Sequence, residues 1–486
     1  MNPLKRILIV GAGEAGRMVT DEIGRHGELE AEVLGFLDDD PSLRGGEVAG
    51  LPVFGSSEEL ERVVVEQGID EIIIAIPTAP SRFVRDMVAR CKRADVPFKI
   101  VPGIMEIIKG DVHIEQIRPV QVEDLLGREM VELETEEARG ILAGKVVLVT
   151  GAGGSIGSEI CRQLSRIDLA ELVLLGRGEN RIFDIEDDLK SRAPRLRIKT
   201  IISDLRDRDR TERLLGAHRP DVIYHTAAHK HVHYMERDPV EAVINNVQGT
   251  MNLVESAMHS GVGRFVFLST DKAANPTGVM GATKKIIELY LRKLSGKSGC
   301  RFIIVRFGNV IGSTGSVIPL FLKQIARGGP VTVSDPKATR YFMSVREASL
   351  LVIRASVIGE GGETMILDMG EAINILEMAR DIIMLSGHDP DTEIPIMITG
   401  LREGEKLHEE LFSEDEELVP LEDRRILLAK PSMPVPSDLD GRIAEMIRRA
   451  REGDTEGVLR AISALIPGFG GQGGLTSGGG GRQRRP

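Results

Sequence analysis

Short apolar runs alternate with amphipathic stretches along most of the chain. The apolar run 6–10 ends at Gly11-Ala12-Gly13-Glu14-Ala15-Gly16, and helical periodicity follows. This alternation predicts parallel strands covered by helices. Further strands are predicted at 33–37, 71–76, 98–101, 145–150, 172–175, 198–202, 222–225, 265–269 and 302–306, and helices at 58–67 and 81–94.

The alternation restarts once, so the predicted fold class is α/β with two tandem Rossmann-type units. Residues 1–102 form the first unit, and a polar connector follows at 103–143, where we interpret a run of charges as a solvated face. Residues 144–466 form the second unit, a doubly wound parallel sheet with a C-terminal substrate-binding region. The glycine-rich segment 467–486 is predicted to be a disordered, inert tail.

Composition narrows the class of protein. A chain of 486 residues with a net charge of -12 has room for large cores but lacks the basic balance of a nucleic-acid-binding surface. The three cysteines are far apart, and no apolar run reaches the roughly 20 residues that span a bilayer. We therefore expect a cytoplasmic enzyme of small anionic substrates.

Two glycine-rich turns follow predicted strands. In the second unit, Gly151, Gly154 and Gly157 lead into a helix that starts near Ser155 and Ile156, which suits a pyrophosphate. For the first unit, nucleotide binding and a purely structural turn stay open, although Asp38-Asp39-Asp40 follows its second strand where a ribose would bind.

The adenosine end of the second unit departs from the usual NAD pattern. Arg177 stands near the position where NAD sites carry an acid, which favours NADP, although Glu179 is close enough to reach a ribose. After the next strand, Asp204 and Leu205 are placed to contact the adenine, with a surface turn as the alternative. The predicted cofactor is a tightly held NAD or NADP, with NADP favoured.

The segment Leu268-Ser269-Thr270-Asp271-Lys272 lies about one half-unit after the second glycine turn, followed by Met280 and Lys284. An acid and two amines there are expected to face the nicotinamide. This combination suggests dehydration of a sugar instead of simple redox chemistry.

Several ordered motifs carry a family resemblance. They are 150–157, His225-Thr226-Ala227-Ala228-His229-Lys230, Asn246-Val247-Gln248-Gly249-Thr250, Ser269-Thr270-Asp271-Lys272, Met280 with Lys284, Arg306-Phe307-Gly308-Asn309, Thr339-Arg340-Tyr341-Phe342-Met343 and Thr399–Lys406. The chain resembles an extended short-chain dehydrogenase/reductase, and within that group the CapD-like UDP-N-acetylglucosamine 4,6-dehydratases of polysaccharide biosynthesis. Many members of that family carry transmembrane helices, which implies membrane association for them.

The resemblance implies roles for the motif residues. Asp271 would protonate the leaving hydroxyl, Lys272 would remove the C5 proton, Thr270 would polarise the C4 oxygen, and Lys284 would bind the nicotinamide ribose. Lys272 acts as a base only if its pKa is lowered, which we expect from burial beside Lys284. Met280 replaces the usual tyrosine, as in the branch that retains the C5 configuration.

The remaining positions would hold substrate and cofactor. We expect His229 and Lys230 to line the cleft, Asn309, Ser316 and Val317 to cradle the sugar diphosphate, and Arg340, Arg402 and Glu405 to contact phosphates and ribose; Ala227 would lie along the cofactor. No metal site is expected from the histidines. A homo-oligomer acting on a UDP-sugar is predicted, and a nucleotide-sugar epimerase or a non-catalytic nucleotide-sugar sensor are the alternatives.

Overall fold

The computed structural model describes residues 4–26, 30–77, 79–101, 117–118, 120, 124, 135–413, 415–421, 423–430 and 434–469. The tail from residue 470, and most of the predicted connector, lie outside the described residues.

The strands are, in chain order, β1 (Lys5–Val10), β2 (Ala31–Leu37), β3 (Glu47–Val48), β4 (Leu51–Gly55), β5 (Glu71–Ile74), β6 (Phe98–Ile100), β7 (Val146–Thr150), β8 (Glu171–Gly176), β9 (Ile198–Ile202), β10 (Val222–His225), β11 (Arg264–Leu268), β12 (Arg301–Arg306), β13 (Asn309–Val310), β14 (Val331–Val333), β15 (Thr339–Arg340), β16 (Phe342–Met343), β17 (Thr364–Leu367), β18 (Ile373–Asn374), β19 (Ile396–Ile398), β20 (Glu417–Pro420) and β21 (Ile426–Lys430).

The α-helices are α1 (Glu14–Arg25), α2 (Leu60–Gln67), α3 (Ser81–Arg93), α4 (Thr135–Leu142), α5 (Ser155–Leu164), α6 (Glu179–Arg192), α7 (Arg208–His218), α8 (Val232–Arg237), α9 (Pro239–Ala242), α10 (Gly249–His259), α11 (Val279–Leu294), α12 (Val317–Ile325), α13 (Val345–Ile358), α14 (Ile375–Leu385), α15 (Leu439–Arg451) and α16 (Thr455–Leu465). Tight 3-10 turns cover Ser57–Glu59 and Asp271–Ala273, and a π-helical turn covers Val243–Gln248.

The chain forms two compact units. The first comprises residues 1–131, 315–336 and 373–399, and the second comprises 132–314, 337–372 and 400–486. Residues 315–336 and 373–399 were predicted to belong to the second unit, whereas their contacts place them in the first. Apolar runs predict where a strand forms, but they do not say which core receives a segment.

In the first unit, six strands form a sheet of order β3-β4-β2-β1-β5-β6, parallel except for the β3–β4 pair. Gly16 lets α1 approach the end of β1, since a Cβ there would lie 2.0 Å from Gly11 O. The carboxylate of Asp38 accepts a hydrogen bond from Ala12 N at 2.7 Å, and Asp39 accepts hydrogen bonds from Ser57. These acids tie the end of β2 to the glycine-rich turn after β1 and to the 3-10 turn at Ser57–Glu59.

The second unit is built on a sheet of order β20-β21-β17-β12-β11-β10-β7-β8-β9. Strands β7 to β12 and β17 run parallel, and β20 and β21 form an antiparallel edge. Its core includes the fully buried rings of Phe265, Phe267 and Phe302. The strand order reverses between β7 and β10, so a crevice is expected at the carboxyl ends of these strands.

Candidate active site

The glycine turn after β7 has the geometry of a phosphate cradle. Gly151 adopts a positive φ of 67°, and a Cβ on Gly157 would lie 2.3 Å from Gly151 O, so both positions need glycine. Helix α5 begins at Ser155, and its N-cap, Gly154, supplies no side-chain hydrogen bond. The first-turn N–H groups of Ser155, Ile156 and Gly157 are therefore suited to phosphate oxygens.

A buried chain of hydrogen bonds fixes the next strand against this turn. His225 Nδ1 lies 2.7 Å from Thr150 Oγ1, and its Nε2 lies 2.8 Å from Thr250 Oγ1. Because the Thr250 hydroxyl donates to a backbone carbonyl, His225 Nε2 carries the proton and Nδ1 accepts. Burial lowers the pKa of His225 to about 3, so the ring is neutral. Ala227 follows two residues later, and a Cβ on Gly151 would lie only 2.8 Å from its backbone nitrogen.

The adenosine end is occupied by an ion-pair cluster. Burial opposes ionisation of Asp204, but hydrogen bonds from Arg206 and Arg177 lower its pKa to about 2. Arg177 NH1 lies 3.3 Å from the Asp204 carboxylate. The basic group that favoured NADP is thus already paired with an acid. Leu205 is buried in the core, and its carbonyl accepts a hydrogen bond from Asn252.

Asn246 ties the loop after β10 to α11. Its Oδ1 accepts from His229 N at 2.8 Å, and its Nδ2 donates to His229 O and to Thr283 Oγ1. Asn246 is buried within the π-helical turn, a local geometry that is frequent at functional sites. The His229 ring contacts Glu241 at 3.0 Å, and Lys230 is exposed. Asn246 belongs to one of the motifs that carry the family resemblance, but no role was predicted for it from the sequence.

The turn 270–272 follows β11 and carries three of the predicted catalytic residues, and we call it the catalytic turn. Asp271 is fully buried, and its Oδ1 accepts from Thr270 Oγ1 at 2.7 Å, from Lys272 N at 2.8 Å and from Lys272 Nζ at 3.0 Å. Its Oδ2 has no hydrogen-bond partner among the described residues. A Cβ on Gly308 would lie 3.3 Å from that oxygen. The turn therefore presents one uncommitted carboxyl oxygen beside a lysine amine.

Helix α11 packs directly against this turn. A Cβ on Gly281 would lie 2.2 Å from Lys272 O, so only glycine permits the approach. Met280, one residue earlier, is 3% exposed. It fills the position in which the resemblance expects a tyrosine, and it has no ionisable group.

Lys284 projects from the next turn of α11 into an apolar setting. Its Nζ donates to Leu268 O at 2.8 Å and lies 4.5 Å from the centroid of the Phe267 ring. Burial lowers the pKa of Lys284 to about 8, and the nearby Glu288 opposes the shift. This lysine is therefore poised to exchange a proton near neutral pH.

The pKa of Lys272 is shifted in the direction opposite to the one predicted from the sequence. Its Nζ lies 3.0 Å from Asp271 Oδ1 and 3.3 Å from Glu409 Oε1. Burial lowers the pKa of Lys272, but the two carboxylates together outweigh burial and raise it above its usual value. The expected lowering of this pKa was wrong because Glu409, which sequence reasoning did not single out, supplies a second negative charge.

The predicted phosphate-binding arginines are in two different situations. Arg340 is buried and donates to Glu405 Oε1 at 2.8 Å and to the carbonyls of Thr339 and Leu407. In this arrangement it braces the loop that carries Glu405. The Arg402 side chain is exposed, and its backbone N–H also donates to Glu405.

The predicted diphosphate-binding residues are divided between the units. Asn309 begins β13 and pairs in register with Phe342 of β16 in the second unit. Ser316 and Val317 belong to the first unit, where Ser316 is the N-cap of α12. A cleft of the second unit opens beside the catalytic turn and is lined by Val232, Lys272, Thr277, Gly278, Gly281, Gly404, Lys406 and Glu409.

A buried network of ion pairs holds the end of β11, from which the catalytic turn continues. Arg306, 1% exposed, contacts Glu288 and Glu416, with NH1 to Glu416 Oε2 at 2.7 Å. Ser269 donates to Glu288 Oε1 at 2.6 Å, and Thr270 follows directly. Bidentate arginine–carboxylate geometry holds this strand end in one position.

Two observations on the described residues concern metal sites and membrane-spanning helices. No group of three or more His, Cys, Asp or Glu side chains in them is arranged to hold a metal ion. Nor does any helix in this part of the chain have the length and apolar character needed to cross a bilayer.

Comparison with known proteins assigns the family. A profile described as "Polysaccharide biosynthesis protein" matches residues 147–431, more than half of the chain. The chain belongs to the polysaccharide biosynthesis protein family. A second profile, described as "CoA-binding domain", matches residues 2–102 of this family member.

Relatives and a solved structure agree with this assignment. "Probable polysaccharide biosynthesis protein EpsC" of Bacillus subtilis (strain 168) is 46% identical over 412 residues, 85% of this chain and 69% of EpsC. A Campylobacter jejuni protein (serotype O:23/36, strain 81-176) named "UDP-N-acetylglucosamine 4,6-dehydratase (inverting)" is 32% identical over 60% of this chain and 84% of its own. The X-ray structure of Pen from Bacillus thuringiensis is 33% identical with a TM-score of 0.56, covering 61% of this chain and 90% of Pen. The predicted family resemblance and Rossmann-type α/β fold are confirmed.

Proposed function

We propose that this polysaccharide biosynthesis protein is a nucleotide-sugar 4,6-dehydratase that converts UDP-N-acetylglucosamine to UDP-2-acetamido-2,6-dideoxy-4-hexulose. The observation that carries the proposal is the catalytic turn, where a buried carboxyl with one uncommitted oxygen lies 3.0 Å from a lysine amine. Removing water across two carbons needs an acid and a base held side by side. Asp271 and Lys272 supply both.

When bound, a nicotinamide cofactor would supply reversible hydride transfer, so that no external reductant would be consumed. The residues present fit such a group. The N–H groups of Ser155, Ile156 and Gly157 would hold its pyrophosphate, and Asp204 and Arg177 would lie at its adenosine end. Because Arg177 is paired with Asp204, a 2′-phosphate has to compete with that carboxylate, and the choice between NAD and NADP depends on this pair.

The side chains then divide the proton transfers. Thr270 donates a hydrogen bond to the C4 oxygen, and the amine of Lys284 assists removal of the C4 hydroxyl proton. Lys272 takes the C5 proton, which is acidic beside a C4 ketone, and the C6 hydroxyl leaves as water with a proton from Asp271. Lys272 returns its proton to C5 when the hydride reaches C6. The proton released from the C4 hydroxyl replaces the one that Asp271 gave up.

A nucleotide-sugar epimerase shares the fold and the oxidation at C4. Epimerisation at C4 needs no acid for a leaving hydroxyl, so the paired Asp271 and Lys272 favour the dehydratase. A non-catalytic sensor would have no use for a lysine whose pKa is lowered to about 8 by burial, as that of Lys284 is. In the proposed function, the product supplies surface polysaccharide or glycoprotein glycan synthesis.

The test is an NMR time course of the purified protein with UDP-N-acetylglucosamine in D2O and no added cofactor. We expect a new C6 methyl signal, deuterium at C5 and retention of the C5 configuration. Lys272→Ala should keep UDP binding and lose the methyl signal, while the exposed control Lys190→Ala should match the wild type. A change at C4 alone would indicate an epimerase, and binding without turnover would indicate a sensor.

A further inference from the structure

Two buried carboxylates share one ammonium group in the catalytic turn. Lys272 Nζ lies between Asp271 Oδ1, at 3.0 Å, and Glu409 Oε1, at 3.3 Å. The second oxygen of each carboxyl is buried and has no hydrogen-bond partner among the described residues. Arg340 also contacts Glu409 but is already paired with Glu405, so ionising both Asp271 and Glu409 would leave a net negative charge in a desolvated site, which is costly.

The two carboxyls have different surroundings. Glu409 contacts two cations, because Arg340 Nε lies 3.6 Å from the same Oε1 that contacts Lys272. Asp271 contacts one cation, Lys272, and also accepts hydrogen bonds from Thr270 Oγ1 and a backbone N–H. Glu409 is thus the carboxyl that links Lys272 to a second cation.

We propose that Glu409 is the counter-ion and proton acceptor of Lys272, and that it thereby leaves Asp271 protonated as the acid of the elimination. The inference rests on the proposed dehydratase function and adds a positioning residue to it. Glu409 acts through Lys272.

The proton transfer balances within the cluster. One N–H bond of the Lys272 ammonium breaks, and an O–H bond forms on Glu409 Oε1. An ammonium and a carboxylate thus become an amine and a neutral acid, with no change in net charge and no electron transfer. The amine then has the lone pair that it needs to take the C5 proton.

The pKa directions bear on this proton transfer. Lys272 has a raised pKa and so needs an acceptor before it becomes a base. The pKa of Glu409 is also raised, because burial and the charge of Asp271 outweigh the lowering by Lys272 and Arg340, and a raised pKa makes this carboxylate a better proton acceptor. Once Asp271 holds a proton, its charge no longer opposes ionisation of Glu409.

Kinetics of three variants test the role. Glu409→Gln keeps the shape of the side chain but accepts no proton, so we expect kcat to fall about 100-fold or more with UDP affinity unchanged. Reduced cofactor should accumulate because oxidation at C4 precedes the blocked elimination. Glu409→Asp should recover part of the rate, and the half-exposed neighbour variant Glu410→Gln should match the wild type.

Infrared spectra of the free protein give a readout that needs no turnover. The difference between wild type and Asp271→Asn should contain the band of a protonated carboxyl. The same difference recorded in the Glu409→Gln background should lack it, because Asp271 must then ionise to pair with Lys272. The charged groups that face this cluster are Lys272, Arg340 and, in the cleft, Lys406.

The outcomes separate the two proposals. A Glu409→Gln variant with turnover within threefold of wild type, or a carboxyl band unchanged in that background, would overturn the inference. An equal loss of kcat and of UDP binding would indicate a merely structural residue and would also overturn it. If the wild type makes no product from UDP-N-acetylglucosamine, the proposed function fails, and the infrared spectra alone decide the role of Glu409.

Discussion

Replacing Lys284 with methionine should stabilise the free protein at pH 7 while it abolishes turnover. Lys284 is 8% exposed, and burial lowers its pKa to about 8, whereas a lysine in the unfolded chain has a pKa of about 10.4. At pH 7 this difference costs folding about 3 kcal/mol. Methionine removes that cost but also removes the hydrogen bond to Leu268 O, which contributes about 1 kcal/mol. The expected net gain is about 2 kcal/mol.

The gain should depend on pH in a defined direction. Between the folded pKa of about 8 and the unfolded pKa of about 10.4, the unfolded chain binds more protons than the folded one. The wild type therefore becomes more stable relative to the variant as pH rises through this window. Below about pH 8 both states hold the proton, and the difference between the two proteins stays constant.

Urea unfolding followed by far-ultraviolet circular dichroism measures the effect, since the chain has no tryptophan. Wild type and variant are compared without nucleotide at neutral and alkaline pH. The control Lys190→Met, at a side chain 64% exposed, should change the free energy of unfolding by less than about 0.5 kcal/mol at either pH. The prediction is refuted if the Lys284→Met protein is less stable than the wild type at pH 7. It is also refuted if the difference in the free energy of unfolding between the two proteins does not change with pH.

Three further predictions concern the framework of the site. Arg306→Met removes the cation that pairs with two buried carboxylates, which keep longer ion pairs with Lys285, and it should lower the free energy of unfolding by about 3 to 5 kcal/mol. The exposed Arg448→Met should cost less than about 1 kcal/mol, and urea unfolding measures both. Gly281→Ala forces α11 away from the catalytic turn and should reduce kcat at least about tenfold with UDP affinity retained, as kinetics and calorimetry would show. Asp204→Asn releases Arg177 and should raise the affinity for NADP relative to NAD in competition binding; an unchanged ratio would contradict the assigned pairing.

The sheets could be predicted from sequence because buried parallel strands are short apolar runs with clear ends. Strands β9 (Ile198–Ile202) and β10 (Val222–His225) occur with the predicted bounds. The catalytic turn was also predictable, since its acid and its lysine are neighbours in the chain. The antiparallel edge strands β20 and β21 were not predicted, because their half-buried, mixed residues lack the pattern of a central strand.

Contacts between residues far apart in the chain could not be predicted from the sequence. Glu409 meets Lys272 only because the loop of 402–409 packs against the catalytic turn, and no periodicity encodes that approach. The charges of Asp271 and Glu409 together reverse the expected shift in the Lys272 pKa. Arg306 was read as part of a strand and a motif, whereas its burial between two carboxylates became visible only in the folded chain.

In the proposed reaction, one hydride moves from C4 to C6 of the same sugar while water is eliminated. The most direct test is turnover of UDP-N-acetylglucosamine that carries deuterium at C4, followed by NMR and mass spectrometry of the product. We expect a 4-keto product with the deuterium in its C6 methyl group. A product that keeps deuterium at C4, or a methyl group without deuterium, would contradict it.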